Sequence, residues 1–237
     1  MATLLVKDLG EMEYLEALAL QERLLAAKRR EGLPDLLLFV EHPHVFTVGR
    51  GGEESNVLSP GEVPVHRTSR GGDVTYHGPG QTVVYPLLDL RSKLRKDVHR
   101  YLRNIEMVAI GVLRSFGLAG ERKPPWTGVW IGERKIASIG IAVRRGITYH
   151  GVALNVNTDL SYFRRIVPCG LAWAEVTSIE KELGREVPVA EVKESLLGHF
   201  MRIFPYAESK ELCHEDIQTG LKSEPREART TSASSGL

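Results

Sequence analysis

Helical and strand-like patterns alternate along this chain of 237 residues, and together they predict a fold of mixed helices and strands. Three observations carry that prediction. Val98, Tyr101, Leu102, Ile105, Val108, Ala109, Val112 and Phe116 share one helical face. Residues 36–40 and 82–88 are unbroken apolar runs set between turn-forming residues. Between residues 129 and 156, three further strand-like runs follow one another, the last two joined through Arg144-Arg145-Gly146. With 42% apolar residues and a mixed charged surface, the chain buries a substantial core as one large domain or two small ones.

In chain order, residues 3–6 read as a short strand. Residues 11–30 read as a helix, on Leu15, Leu18, Ala19, Glu22 and Leu25 at helical spacing, with Gly32 and Pro34 stopping it. The run 36–40 is a central strand and 45–48 a second, which ends in Gly49-Arg50-Gly51-Gly52. A glycine-rich stretch leads into the strand at 82–88. Asp97 then stands as the N-cap of the clearest helix, and Gly117 is placed for a left-handed C-terminal cap. Residues 129–131, 136–143 and 147–156 are strands, so Lys135 stands at the start of one of them. Residues 159–167 form a short helix or turn that delivers Pro168-Cys169. Thr177 with Glu180 makes a capping box, and 189–203 is a last amphipathic helix. Composition turns polar after Phe204-Pro205, so residues 1–206 are expected to form the folded, function-bearing domain and 207–237 a disordered polar tail.

The balance of 31 basic and 30 acidic residues leaves a formal charge of +1, which gives no global field for nucleic acid. No stretch of about 18 apolar residues marks a membrane span, and the N-terminus carries no leader pattern. Cys169 and Cys213, the two cysteines, lie in dissimilar settings and do not form a secreted disulfide framework. A cytoplasmic protein with reduced thiols is expected, without nucleic-acid or membrane partners.

The densest chemistry lies in Arg70-Gly71-Gly72-Asp73-Val74-Thr75-Tyr76-His77-Gly78-Pro79-Gly80-Gln81. Glycines beside a strand let backbone approach a ligand, and a mere turn needs neither the arginine nor the histidine. A decorated turn is the plain alternative. Thr75-Tyr76-His77-Gly78 recurs as Thr148-Tyr149-His150-Gly151, so both copies are candidates to line one cleft. Cys169 sits between Pro168 and Gly170, and Lys135 lies within Gly132-Glu133-Arg134-Lys135-Ile136-Ala137-Ser138-Ile139-Gly140. A thiol and an amine are the groups that hold and activate a covalent acyl intermediate, so the pair points to acyl transfer. The alternatives are a cysteine buried as a small hydrophobe and a lysine solvated at a strand end. His77 and His150 compete as partners for the thiol. His42, His44, His66 and Asp73 lack the spacing of a tetrahedral metal site, and Gly49-Arg50-Gly51-Gly52 lacks the ending of a nucleotide-binding loop, so no metal and no ATP is expected. The run Arg91, Lys93, Arg95, Lys96, Arg100 and Arg103 reads first as a solvated helix entry, and second as a dock for an acidic carrier protein.

Four segments in order, the stretch 70–81, residues 135–140, His150-Gly151-Val152-Ala153-Leu154-Asn155 and Pro168-Cys169-Gly170, resemble the octanoyltransferases of the biotin/lipoate ligase-like superfamily. The resemblance spans roughly residues 3–205. It implies an α+β fold with a mixed central sheet flanked by helices. It also implies an enzyme that moves octanoyl from acyl carrier protein to a lysine of lipoyl domains, those of 2-oxoacid dehydrogenase complexes and of the glycine cleavage H protein, with no cofactor. By matching position, Cys169 is the nucleophile that carries the acyl thioester, and Lys135 lowers its pKa and shuttles protons. Arg70, Gly71, Gly72, Asp73, Val74, Thr75, Tyr76 and His77, with Ser138, Ile139 and Gly140 and with His150, Gly151, Val152 and Ala153, form the substrate pocket. Two departures touch the pocket rim: Gly146 stands where relatives carry a bulky aromatic, and Leu171-Ala172-Trp173-Ala174 is atypical. An ATP-dependent lipoate ligase of the same fold, a non-catalytic acyl or lipoyl-domain binding module, and an amidotransferase acting between lipoyl domains are the competing readings.

Overall fold

The computed structural model describes residues 2–93, 97–168 and 173–212. Its frame is a nine-stranded mixed sheet. Strand β1 (Thr3–Glu11) leads to helix α1 (Tyr14–Glu31), then β2 (Asp35–Glu41) and β3 (Val45–Val48). After these come β4 (Val65–Arg67), β5 (Val74–His77) and β6 (Gln81–Leu87), the short helix α2 (Leu90–Lys93) and the long α3 (Val98–Ser115). Strands β7 (Glu121–Lys123), β8 (Trp126–Ile131), β9 (Arg134–Arg144) and β10 (Ile147–Asn155) form the second half. Strand β11 (Glu175–Val176), helices α4 (Ile179–Leu183) and α5 (Val189–Ile203) and strand β12 (Glu208–Glu211) close the chain.

The main sheet runs β12-β1-β2-β6-β10-β9-β8-β7, with β11 beside β9, and β4-β3-β5 make a separate small sheet. Alternation along the central strands explains the layers. Leu37, Phe39, Val84, Val152 and Leu154 enter one core with α3 and α5, whereas Leu36, Leu38, Val40, Val83, Tyr85 and Ala153 enter a second with α1. The small sheet builds a third core on Phe46, Val48, Val74 and Tyr76. Helix α3 is capped as its sequence predicts: the Asp97 side chain accepts from the Arg100 N–H at 2.8 Å, and Gly117 follows at φ 76. The turn between β9 and β10 places Arg145 and Gly146 at positive φ, 53 and 87, the twist that a two-residue hairpin requires. No helix among the described residues is long and apolar enough to cross a membrane.

Two expectations are corrected. The cap of α4 is Ser178, whose Oγ accepts from the Lys181 N–H at 3.2 Å, while the Thr177 hydroxyl donates to Glu182 instead. The polar tail does not begin at 207. The Ala207 N–H bonds the Ala2 carbonyl at 3.0 Å, β12 pairs in parallel with β1, and Leu212 is buried against the α1 core. An edge strand needs backbone partners rather than apolar side chains, so Glu208-Ser209-Lys210-Glu211 joins the sheet with every side chain in solvent. Residues 213–237 lie outside the described residues.

Candidate active site

Strands β5, β6, β9 and β10 line a narrow cavity of about 40 Å³ that opens to solvent, with Tyr14 from the start of α1 in its wall. Arg70, Gly72, Asp73, Thr75, His77, Ser138, Ile139, Gly140, His150, Gly151, Val152 and Ala153 line it. Both copies of the Thr-Tyr-His-Gly echo reach it, through Thr75 and His77 and through His150 and Gly151. Gly71, Val74 and Tyr76 do not line the cavity. Alternation along β5 turns Thr75 and His77 to the cavity and sends Val74 and Tyr76 into the small-sheet core. Gly71 donates its N–H to the Ile141 carbonyl at 2.8 Å, tying the glycine motif to β9. Tyr14, Val83 and Tyr85 complete the lining. Only the membership of Val83 and Tyr85 in an apolar strand after the motif hinted at their part.

Two of the lining glycines face one another and let their neighbours approach closely. Gly140 and Gly151 are cross-strand partners on β9 and β10. A Cβ on Gly151 would stand 2.0 Å from the Val84 carbonyl oxygen, and one on Gly140 would stand 2.9 Å from the Gly71 oxygen. Arg70, buried, donates from Nη2 to the Thr47 carbonyl at 2.6 Å and from Nε to Thr47 Oγ1 at 3.1 Å, so its guanidinium staples the motif to β3.

The buried histidines are neutral. His77 Nδ1 meets Gln81 Oε1 at 2.8 Å, and the Gln81 amide nitrogen donates to Tyr76 O and Asn155 Oδ1, so His77 donates from Nδ1. Burial first, then the charges around it including Arg70, hold His77 well below the ordinary imidazole range. His150 is pushed down to about 3 by burial and then by Arg70, Arg144 and Arg50. His42 falls to about 4 through burial; its Nδ1 donates to Met12 O at 2.7 Å and its Nε2 accepts from the Tyr85 hydroxyl at 2.7 Å. An unfolded histidine takes up its proton near pH 6.5, while these rings refuse it until about pH 4 and 3. The stability they contribute is therefore whole above pH 6.5 and is lost as pH falls through those lower values. The melting temperature is expected to drop between about pH 6.5 and pH 4, less steeply in His42→Asn; a flat profile in both proteins counts against neutral buried rings.

Lys135 is 5% exposed and is the second residue of β9. Between β8 and β9 the register shifts, Val129 facing Ala137 and Trp130 facing Lys135, which leaves Ile136 as the extra residue. Ile136 and Ala137 both enter the α3 and α5 core, and alternation then turns Lys135 onto the face of Ser138 and Gly140. A bulge beside the cavity thus re-aims the one lysine that the motif singles out. Its Nζ lies 5.4 Å from the centroid of the Trp130 ring. Gly128 leaves room for it, since a Cβ there would meet Lys135 Cε at 2.7 Å. The Gly128 N–H bonds the buried Glu106 at 3.3 Å, and Glu106 also accepts from Arg103 and Arg122. Trp173 stacks on Trp130 at 5.7 Å and meets Trp126 edge-on at 4.9 Å. From there the chain enters β11, which pairs Val176 with Lys135.

Cys169 and Gly170 lie outside the described residues, between Pro168 and Trp173. Of the basic run, Arg91 pairs with Asp89 and Arg103 with Glu106, while Arg95 and Lys96 are likewise outside the described residues. His44 bonds the Tyr76 hydroxyl and stacks on Tyr162, and His66 stacks on Tyr14.

This frame and its glycine-walled cavity place the chain in a class defined by a shared catalytic domain. Residues 13–201 match the model of the lipoyl protein ligase A/B catalytic domain, and the chain belongs to that family. Its sequence relatives include an octanoyltransferase of Geobacter metallireducens, 49% identical over 83% of this chain and 92% of that one. Another, from Solibacter usitatus, is 47% identical over 85% and 93%. Among solved structures, lipoate-protein ligase A bound with ATP superposes with a TM-score of 0.69 at 16% identity, covering 92% of both chains. A bi-partite lipoate protein ligase from Thermoplasma acidophilum gives 0.68 at 18%, over 92% of this chain and 89% of that one. Those structural likenesses speak for the fold: α+β, a mixed sheet with flanking helices.

Proposed function

We propose that Cys169 and Lys135 carry out acyl transfer in this chain, and that the glycine-walled cavity holds the acyl group. The chain is an acyltransferase, and octanoyl transfer in lipoate biosynthesis is its function; its relatives at 49% and 47% identity are named octanoyltransferases. The observation that carries the residue assignment is Lys135, buried against Trp130 and turned by a bulge onto the same face of β9 as Ser138 and Gly140, outside the cavity lining itself and beside the strand by which the chain returns from Cys169.

In the first half-reaction the Cys169 thiolate attacks the thioester carbonyl of an acyl carrier. The carrier's sulfur leaves and takes a proton from the Lys135 ammonium. In the second, the amine of an acceptor lysine attacks the Cys169 thioester; Lys135, now neutral, takes the proton that the attacking amine sheds, and the thiolate returns. Both steps exchange a thioester for a thioester or an amide, so the acyl donor supplies the energy and ATP has no part. His77 and His150, held neutral, offer no charge to stabilise a thiolate, which leaves that role to the lysine. The cavity wall of glycine, alanine and valine suits a hydrocarbon: burying about six methylenes at ~0.8 kcal/mol each contributes roughly 5 kcal/mol. An octanoyl-acyl carrier protein is the donor in this reading, the acceptors are lipoyl domains of 2-oxoacid dehydrogenase complexes and the glycine cleavage H protein, and the setting is the cytoplasm.

The test is intact-protein mass after mixing with octanoyl-acyl carrier protein in the absence of ATP, followed by peptide mapping. One octanoyl adduct, labile to hydroxylamine and mapped to Cys169 rather than Cys213, is expected. An adduct that requires ATP points to an acyl-adenylate ligase of the same fold, and none at all with an intact donor removes Cys169 as the acyl carrier.

A further inference from the structure

Two non-glycine residues among those described have positive φ, Arg145 and His150. Arg145 lies in a hairpin turn that calls for it. His150, at φ 55, lies inside β10, is 1% exposed and lines the cavity, where nothing in the hairpin geometry demands a left-handed backbone. Strain of this kind persists only where the surroundings fix it. The fixing group comes from the other layer: the His150 N–H donates to Gln21 Oε1 at 2.8 Å. Gln21 sits on α1, 1% exposed, and its Nε2 donates to the Ala17 carbonyl at 3.3 Å, so the amide is oriented with its oxygen toward β10. The imidazole is held as well, with Nε2 3.0 Å from Ser69 Oγ and the ring stacked on Tyr149 at 4.6 Å.

Gln21 does not line the cavity, yet it holds the backbone that does. We infer that Gln21 is a positioning residue for acyl recognition: it fixes the left-handed turn at His150, and that turn sets the position of the Gly151 wall of the cavity. The inference rests on the reading that this cavity takes the acyl chain. Without the acceptor, the buried N–H is left unsatisfied and β10 relaxes toward extended geometry, moving His150 and Gly151 relative to β6. Lys135 on β9 is untouched, so binding of the acyl chain suffers and the chemical step does not.

Gln21→Met, close in volume and without an acceptor, tests this beside Gln21→Glu, which keeps one. Single-turnover loading by octanoyl-acyl carrier protein is measured against donor concentration, together with hydrogen exchange of the amides of 149–152. In the Met variant the half-saturating donor concentration is expected to rise roughly tenfold, with the limiting loading rate within about threefold of wild type. Exchange at the His150 amide should rise in Met and stay near wild type in Glu. A Met variant with wild-type half-saturation and wild-type exchange overturns the inference. Should the Met variant fail to fold, Gln21→Asn, which retracts the acceptor by one methylene, gives the same readouts. A wild-type protein that never loads overturns the acyl reading of the cavity, and exchange then still decides whether Gln21 holds the backbone.

Discussion

In Cys169→Ser no hydroxylamine-labile adduct is expected, and in Lys135→Ala loading of Cys169 should be roughly eight- to thirtyfold slower at neutral pH. An unperturbed thiol with pKa near ~8.5 is only a few per cent thiolate there. An ammonium within ~4–6 Å lowers that pKa by about 1–3 units, and each unit is a factor of ten in thiolate on the acid side. Removing the cation raises the thiol pKa, so the acid limb of the loading rate moves to higher pH by the same 1–3 units, and loading recovers in alkaline buffer. Lys135→Arg is not expected to substitute, because the planar guanidinium must pass Gly128, where even one added carbon would meet the native lysine stem at 2.7 Å. Stopped-flow or quenched loading across pH is the measurement. An acid limb that stays in place in Lys135→Ala would remove the lysine from thiol activation.

Gly151→Ala is expected to damage stability and acyl loading together. The added methyl would be driven to 2.0 Å from the Val84 oxygen and 2.8 Å from Pro86 Cδ, and both belong to the neighbouring central strand rather than to a side chain that can swing away. Overpacking of this sort costs about 1–3 kcal/mol or more, which for a domain of this size lowers the melting temperature by roughly 2–12 °C. The shifted strand also carries the cavity wall, so adduct yield should fall at a temperature where the variant is still folded. Gly198→Ala in α5 is the matched control: the nearest atom to its new Cβ is the end of the Arg202 side chain at 3.9 Å, and a helix-interior alanine is neutral or mildly stabilising. Equal melting temperatures for the two variants would show that β6 and β10 yield more readily than their packing implies.

The parts of the fold written in local pattern were legible in the sequence. Asp97 and Gly117 bracket α3 because caps depend on single residues, and runs such as 36–40 are central strands because both faces are covered. The parts set by long-range pairing were not. Strands β4, β7 and β11 are two or three residues long, too short for any periodicity to register. Strand β12 is polar throughout, since its pairing uses only backbone. In the site, most of the motif residues meet at one cavity, but a motif read as a continuous string overlooks alternation, which withdraws Val74 and Tyr76. The bulge at Ile136 is equally hidden, because it is a property of two strands in register rather than of one. Tyr14 and Gln21 come from α1, far along the chain, and look from the sequence like ordinary members of an amphipathic helix.

The stacking of Trp126, Trp130 and Trp173 has an optical consequence. The chain contains three tryptophans, and all of them meet beside Lys135. Ultraviolet emission from this protein therefore originates in one corner, a few ångströms from the amine assigned to the chemistry and next to the segment that carries Cys169. A change in that corner is not diluted by distant indoles, so the unlabelled enzyme carries its own fluorophore for following the arrival and departure of an acyl group in real time.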